Sequence, residues 1–240
     1  MGRKSYENFG SLAEQTQDCT VLAGRYSEQK GSEHYIIRDV LTKLDLLPEH
    51  RLLDIGCNAG KLTIPLSFMV AATTGVDHPK CLRRLQEECR TDIELVPGNF
   101  LDLEFDRTFD RILCYSVIQY LRDSVELLRF LDKIADLLGP SGKALCGDIP
   151  NVSLKRRFLA SPGGQEFSRH WELIRQANST EQNEQFVLKK DPELVTIDDG
   201  LLMSLLARYR LRGFHTYVLP QQPILPFGYT REDLLIVRPT

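Results

Sequence analysis

The feature that most constrains the fold is an alternation of short apolar runs with segments whose apolar residues recur every three or four positions. Between residues 51 and 149 the apolar runs are RLLDIG, TTGVD, IELVPGNF, FDRILCYSVIQYL and GKALCGDIP. Each contains enough consecutive apolar residues for one buried strand. Strands that alternate with helices form a parallel sheet covered on both faces. The sequence therefore predicts an α/β fold with a doubly wound, mostly parallel sheet.

Five helices are predicted from the apolar periodicity, over residues 32–47, 61–70, 78–89, 125–138 and from Asp198 through Tyr209. Ser32 is the expected N-cap of the first helix, and Gly139-Pro140 is expected to end the fourth. Two further strands, GFHTYVLP and REDLLIVRP, follow near the end of the sequence. Residues 150–195 break the alternation, because they are polar and charged, and we expect one or two short helices and a flexible connection there.

The composition narrows the possible partners. The chain has 240 residues, a formal net charge of −3 and six cysteines without a CxxC pair. This charge gives no basic footprint for nucleic acid, and unpaired thiols favour a cytoplasmic protein. No apolar run approaches the length of a membrane span, and MGRKSYENFG lacks the apolar core of a signal peptide. We expect no membrane partner and no metal, and the oligomeric state stays open.

The turn after the first strand, DIGCNAG, carries the strongest functional signal. Gly56 and Gly60 allow positive φ and let a ligand approach the main chain. Their G-x-x-x-G spacing differs from the dinucleotide-binding and P-loop motifs. An acid, Asp77, ends the next strand, where a carboxylate can accept both hydroxyls of a ribose. We therefore expect the site to bind a ligand that contains a ribose and does not need a pyrophosphate.

These motifs together resemble the class I S-adenosylmethionine-dependent methyltransferases. LLDIGCNAG resembles the glycine-rich first motif of that family, GVD the second, PGNFLDL the third and FDRILCYSVIQYL the fourth. The last two strands look like the final antiparallel hairpin of the family, and the resemblance implies a Rossmann-like methyltransferase fold with an antiparallel last strand. Asn99 stands where the family more often has Asp. The implied cofactor is S-adenosyl-L-methionine.

The resemblance also implies which residues surround that cofactor. Residues 1–31 would form an N-terminal segment that covers the cofactor, residues 32–149 and 196–240 the methyltransferase domain, and residues 150–195 a helical cap insertion. The implied cofactor-binding residues are Tyr26, Asp54, Gly56, Cys57, Asn58, Gly60, Asp77, His78, Asn99, Phe100, Cys114 and Tyr115.

The acceptor of the methyl group is less constrained by the sequence. The family often lacks a dedicated catalytic residue; His170 is a candidate base, with a solvated helix residue as the alternative. The candidate substrate-binding residues are Gln119, Asp148, Arg156, Arg157 and Arg231. Basic residues above the methyl group favour an anionic acceptor, although a solvated helix face explains them equally.

We therefore predict O-methylation of a small anionic or sugar-like metabolite. GDIPN and the LPF…REDLLI ending are similar to methyltransferases of bacterial surface-polysaccharide and modified-sugar pathways. The alternatives are methylation of RNA or protein, or a catalytically silent partner subunit that binds the cofactor.

Overall fold

The fold is built on one seven-stranded sheet. In a computed structural model, which describes residues 2–177 and 194–240, the strand order is β3-β2-β1-β4-β5-β7-β6. The strands span Arg51–Ile55 (β1), Ala72–Asp77 (β2), Glu94–Pro97 (β3), Phe109–Tyr115 (β4), Leu138–Pro150 (β5), His215–Pro220 (β6) and Arg231–Val237 (β7). Strands β1 to β5 pair in parallel, whereas β7 is antiparallel to both β5 and β6. The predicted fold class is confirmed.

Nine α-helices lie within the described part of the chain. They span Arg3–Gln15 (α1), Cys19–Leu22 (α2), Glu33–Leu44 (α3), Thr63–Ser67 (α4), Pro79–Glu88 (α5), Ser124–Leu137 (α6), Val152–Ala160 (α7), Pro162–Ala177 (α8) and Asp199–Leu211 (α9). Short 3-10 helices span Ser27–Ser32, Phe100–Asp102 and Ile118–Tyr120. None of the described helices is both long enough and apolar enough to cross a membrane.

The core lies on both faces of the sheet because successive strand residues point to opposite sides. In β4, Ile112 packs with α6 and α9 on one face, and Leu113 packs with α3 on the other. Both side chains are fully buried. This double covering explains why the strands are almost continuously apolar in sequence.

Two predicted helix boundaries are confirmed to within one residue, but the local structure at each differs from the expectation. Helix α6 ends at Leu137, and Gly139-Pro140 lies in β5, which begins at Leu138. Proline is tolerated there because residues 139–142 fall in a register shift, where β5 does not pair regularly with β4. Ser32 makes no capping hydrogen bond with its side chain, since a 3-10 helix leads directly into α3.

The sequence patterns also missed helices α1 and α2 near the N-terminus. Helix α1 packs on α5, where Cys81 Sγ lies 3.8 Å from the carbonyl oxygen of Phe9. Helices α7 and α8 occupy the first part of the predicted cap, and residues 178–193 of that cap lie outside the described residues. The division into a covering segment, a domain and a cap stays a prediction.

Candidate functional site

The turn after β1 is shaped by close packing. Gly56 has φ +78°, and its amide donates to the carbonyl oxygen of Val76 at 2.8 Å. A Cβ at Gly56 would lie 2.4 Å from Cγ2 of Val117, which follows β4. At Gly60, with φ +82°, a Cβ would lie 2.7 Å from Cγ of Leu85 on α5. Both glycines are thus required by neighbouring side chains, and Gly60 does not line the cleft described below.

Two buried carboxylates lie beside this turn, at the ends of β1 and β2. Asp54 accepts a hydrogen bond from Thr63 Oγ1 at 2.6 Å, and Asp77 accepts one from the amide of Asn58 at 2.7 Å. Burial raises the pKa of Asp54 to about 7, and it also raises the pKa of Asp77. Each carboxylate keeps lone pairs for a further donor, since an ionised carboxylate accepts about four hydrogen bonds.

A narrow cleft of about 60 Å³ lies between the turn and the N-terminal helices. Six of the predicted cofactor-binding residues line it: Asp54, Gly56, Cys57, Asn58, Asp77 and Tyr115. Phe9 of α1 and Ala23 after α2 close the cleft from the N-terminal side. The N-terminal helices therefore lie directly over the end of the sheet where the carboxylates meet.

Asn99 and Phe100 lie on the other side of Asp77, in a smaller cavity of about 20 Å³ that Asp77 also lines. Tyr6 of α1 lines this cavity as well. Phe100 packs against Phe130, with the ring centroids 5.0 Å apart. A flat apolar wall thus lies beside the acid that ends β2.

Two predicted residues point away from these cavities. The Cys114 side chain is buried in the core next to Cys146, its register partner on β5. His78 caps α5, because its Nδ1 accepts from the amide of Lys80 at 3.2 Å. The His78 ring packs against Tyr6, with centroids 4.8 Å apart, so it supports α1.

Arg25 is a site residue that the sequence reasoning missed. Its guanidinium is buried in the cleft wall, where Nη1 lies 3.4 Å from Glu33 Oε1 and Nη2 donates to Ser116 Oγ at 3.2 Å. Lys61 reaches the same Glu33 at 2.5 Å. From the sequence we expect its neighbour Tyr26 instead. The signal for Arg25 is a cation in a segment that is expected to cover a cofactor with a carboxylate.

A much larger cavity, of about 780 Å³, adjoins the cleft. Ala23 and Ser116 line both spaces, so the two meet at these residues. Aromatic side chains form much of the wall of the large cavity: Tyr26, Tyr120, Phe158, Phe167, Trp171, Phe227 and Tyr229. Its volume lies within the range of ligand pockets, about 300 to 1,000 Å³.

Three of the five predicted substrate-binding residues line this cavity: Gln119, Asp148 and Arg231. Arg157 instead pairs with Asp199 outside the cavity. Arg156 and the candidate base His170 are exposed, and neither belongs to the cavity wall. The structure therefore brings together the residues at strand ends and leaves the basic face of α7 and His170 on the surface.

Comparison with known proteins identifies the family. Residues 52–142 match a family described as a methyltransferase domain. An uncharacterized methyltransferase of Alkaliphilus oremlandii is 31% identical over 161 residues, which cover 63% of this chain and 73% of that protein. The chain belongs to the class I S-adenosylmethionine-dependent methyltransferases. The resemblance drawn from the motifs is confirmed.

Two further methyltransferases show how far the likeness extends. A ubiquinone biosynthesis O-methyltransferase of Nitrobacter winogradskyi is 29% identical over 152 residues, which cover 58% of this chain and 57% of that enzyme. The N-methyltransferase NodS of Bradyrhizobium japonicum WM9, in complex with S-adenosyl-L-homocysteine, has the same fold. The TM-score is 0.64 at 16% identity, with 98% of this chain and 99% of NodS covered.

S-adenosylmethionine is thus the cofactor of this methyltransferase, and the chemistry of the cleft suits it. The acid at the end of β2 can accept ribose hydroxyls, and the cations Arg25 and Lys61 suit a carboxylate. The buried carboxylate of Asp54 suits an ammonium group. These are the polar groups of the cofactor, and all four side chains line the same cleft.

Proposed function

We propose that this methyltransferase transfers the methyl group to an oxygen of a small acceptor that combines a ring with a negative charge. The observation that carries the proposal is the large cavity beside the cofactor cleft, with its aromatic walls and the cations Arg231 and Lys155 at its border. A ring with flat faces, whether aromatic or a sugar, packs favourably against aromatic side chains.

In this proposal the cofactor lies across the carboxyl ends of β1 and β2. Asp77 accepts the ribose hydroxyls, Arg25 and Lys61 face the methionine carboxylate, and Asp54 faces the ammonium group. Asn99 and Phe100 border the adenine. The cofactor supplies a methyl group on a positively charged sulfur, which is already activated for transfer. The protein mainly has to align the two reactants and exclude water.

The place of transfer follows from the junction of the two spaces. Because Ala23 and Ser116 line both the cleft and the large cavity, we expect reactants in the two spaces to approach each other there. The 3-10 helix over Ile118–Tyr120 and the positive-φ residue Ser116 form one side of this junction. The acceptor atom should therefore point toward Ser116.

The walls of the large cavity favour a flat ring. Phe158 and Tyr229 are stacked, with centroids 4.8 Å apart and planes inclined by 4°. Trp171 lies edge-on to Tyr26, with centroids 5.1 Å apart. Rings held in defined orientations can pack against a further ring at little conformational cost.

The charges at the junction favour an anionic acceptor with a hydroxyl group. Arg231 Nη1 donates to the carbonyl oxygen of Asp148 at 3.0 Å, and the guanidinium has further donors for a carboxylate or phosphate. Gln119 Oε1 is buried in the wall without a hydrogen-bond partner in the described residues, so it can accept from a hydroxyl group. Arginine and lysine together disfavour a positively charged amine.

The test is methyl transfer from labelled S-adenosylmethionine to matched acceptor pairs. The pairs are 4-hydroxybenzoate with 4-aminobenzoate, and glucuronate with glucosamine, and products are identified by mass spectrometry. We expect label on the hydroxyl of 4-hydroxybenzoate or glucuronate, and the two acids distinguish an aromatic from a sugar acceptor. Transfer only to the amines, or only to RNA or protein in parallel reactions, would contradict the proposal. No transfer to either acid would remove this acceptor class.

A further inference from the structure

We infer that Asp148 is the general base that takes the proton from the acceptor hydroxyl. The inference rests on the proposed function, because it assumes that a hydroxyl group is methylated in the large cavity. Asp148 ends the core-facing part of β5, at the carboxyl end of the sheet, and its side chain is only 4% exposed. It lines the large cavity beside Ser116, the residue shared with the cofactor cleft.

One carboxylate oxygen of Asp148 is held in place and the other is available. Oδ2 accepts the hydroxyl hydrogen of Ser116. Oδ1 is buried and has no hydrogen-bond partner in residues 2–177 and 194–240, and the nearest cation, Nε of Arg231, is 3.8 Å away. A buried carboxylate oxygen without a donor is costly in a folded protein unless a ligand supplies the donor.

The backbone around Asp148 is held in an uncommon conformation. Asp148 has φ +59° and Ser116 has φ +61°, both in the left-handed region. The amide of Asp148 donates to Asp233 Oδ1 at 2.8 Å, and that of Ser116 donates to the carbonyl oxygen of Gly147 at 3.0 Å. Non-glycine residues with positive φ occur where the surrounding structure fixes them, often at functional sites. This arrangement directs the side chain toward the junction of the two spaces.

A chain of donors connects the carboxylate to the cofactor side. Arg25 Nη2 donates to Ser116 Oγ at 3.2 Å, and Ser116 donates in turn to Asp148. Ser116 thus positions the carboxylate, and Arg25 positions the hydroxyl of Ser116. Arg25 in the cofactor cleft and Asp148 in the large cavity are therefore connected through two hydrogen bonds.

In the transfer, a lone pair on the acceptor oxygen forms the new bond to the methyl carbon. The carbon–sulfur bond breaks and its electron pair stays on sulfur, while the hydroxyl proton passes to Oδ1 of Asp148 and later to water. A carboxylate within hydrogen-bond distance of the hydroxyl prevents a positive charge from building up on the acceptor oxygen. Arg231, on the same side, would hold the anionic group of the acceptor.

The variant Asp148→Asn tests the base with little structural change, since Asn also adopts positive φ and can accept from Ser116. We expect kcat for a hydroxyl acceptor to fall about 100-fold or more, with KM for S-adenosylmethionine within threefold of the wild type. Asp106→Asn, an exposed carboxylate ahead of β4, is the matched control and should retain its activity. A loss in kcat that accompanies an equal loss of cofactor affinity would indicate a structural role and overturn the inference.

A spectroscopic measurement does not depend on turnover. The probe is 4-nitrophenol, whose ionisation is seen by absorbance, bound to the protein in complex with S-adenosylhomocysteine. A carboxylate beside the phenol disfavours the phenolate, so the pKa of the bound probe should be at least one unit lower in Asp148→Asn than in the wild type. The other ionisable groups around Asp148 are the same in both proteins: Arg25, Tyr115, Tyr120, Arg231, and Asp233 with its partner Lys43.

The outcomes separate the inference from the proposed function. If 4-nitrophenol does not bind to the wild type, the cavity does not accept a phenol and the aromatic form of the proposed function fails. If it binds with the same pKa in both proteins, only the assignment of Asp148 fails. Ser116→Gly supplies a second variant that keeps the positive φ and removes the hydroxyl, and its probe pKa should lie between the two. An unchanged value in Ser116→Gly would remove Ser116 as a positioning residue.

Discussion

The carboxylate of Asp77 accepts a hydrogen bond from the amide of Asn58 at 2.7 Å, which joins the end of β2 to the turn after β1. Its other oxygen accepts from the amide of His78 at 2.6 Å. The turn and the start of α5 are thus held by one side chain. A ligand that contacts Asp77 therefore lies next to main-chain segments that Asp77 already holds in place.

We predict that Asp77→Asn weakens S-adenosylhomocysteine binding about tenfold to 100-fold. The amide group of Asn would place a donor against one of the two backbone N–H groups and would remove the charge that suits the ribose hydroxyls. Hydrogen bonds to charged groups contribute about 1.5 to 3 kcal/mol, which corresponds to that range. Calorimetric titration measures it, with the exposed Asp92→Asn as the control. Equal affinities of Asp77→Asn and the wild type would rule out the ribose assignment.

The sequence predicted that the ends of β1 and β2 lie side by side, because this follows from recognising two parallel strands. Parallel strands place their carboxyl ends at one edge, so Asp54, Gly56 and Asp77 had to lie near each other once the strands were recognised. The sequence did not show why position 56 must be glycine. The side chain that excludes a Cβ there belongs to Val117, which is 61 positions away and comes close only in the folded chain. Packing across the sheet leaves no local pattern.

We predict that Gly56→Ala destabilises the protein by about 2 to 4 kcal/mol through two separable causes. The left-handed conformation costs a non-glycine residue about 1 to 2 kcal/mol, and the new Cβ would collide with Val117. Urea unfolding of Gly56→Ala, Val117→Ala and the double variant forms a cycle. We expect the double variant to be at least 1 kcal/mol more stable than the sum of the single effects. Additive effects would mean that Val117 moves aside freely.

The pH dependence of stability should report Asp54. Burial raises the pKa of Asp54 to about 7 in the folded protein, from 3.8, so the folded state holds a proton that the unfolded state has lost between these values. Stability then falls as the pH rises from about 4 to about 7, by about 1.4 kcal/mol per pKa unit, or roughly 4 kcal/mol in total.

Asp54→Asn removes this titration and retains an acceptor for Thr63. We predict that the variant and the wild type have similar free energies of unfolding at pH 4. At pH 8 the variant should be more stable, by roughly 4 kcal/mol. Urea unfolding at the two pH values, without cofactor, measures the difference. A difference that does not grow with pH would show that Asp54 stays ionised in the folded protein.

Helix α1 should control access to the cofactor cleft. The cleft, of about 60 Å³, is smaller than a nucleoside and is lined by Phe9 of α1, so we expect α1 to move when the cofactor enters. A Cβ at Gly10 of α1 would lie 2.4 Å from the His78 ring, so Gly10→Ala must shift either this ring or α1 and thereby loosen the contact of α1 with α5. We predict association and dissociation rates of S-adenosylhomocysteine at least threefold faster in stopped-flow experiments. In the control Gly163→Ala, the new Cβ meets no described atom within 4 Å. If Gly10→Ala is less stable than the wild type but has the same association and dissociation rates, the packing of α1 does not control cofactor access.

The acceptor side shows where sequence reasoning stops. Gln119, Asp148 and Arg231 could be proposed because they follow strands or begin one at the functional edge. Arg156, Arg157 and His170 lie on helices whose facing depends on how α7 and α8 pack, and a basic helix pattern does not reveal that orientation. The N-terminal helices were missed for a related reason, since α1 is mostly polar and gains its order from contact with α5.

The last prediction uses Trp171, the one tryptophan of the chain, as a reporter of the acceptor cavity. Trp171 lies on α8 and lines the large cavity, edge-on to Tyr26 and parallel to Phe167 at a centroid distance of 6.2 Å. It does not belong to the cofactor cleft. An acceptor that enters the cavity displaces water from the indole, so its emission should shift to shorter wavelength.

We therefore expect 4-hydroxybenzoate or glucuronate to change the emission in a saturable manner in the presence of S-adenosylhomocysteine. S-adenosylhomocysteine alone should change it little. Trp171→Phe keeps an aromatic wall but removes the tryptophan emission, and it should still bind the same acceptor, as detected by calorimetry. Trp171→Ala removes the wall and should weaken acceptor binding about tenfold, since aromatic contacts contribute about 0.5 to 1.5 kcal/mol beyond the buried area. If S-adenosylhomocysteine alone produced the full shift and the acceptor added nothing, the large cavity would not be the acceptor site.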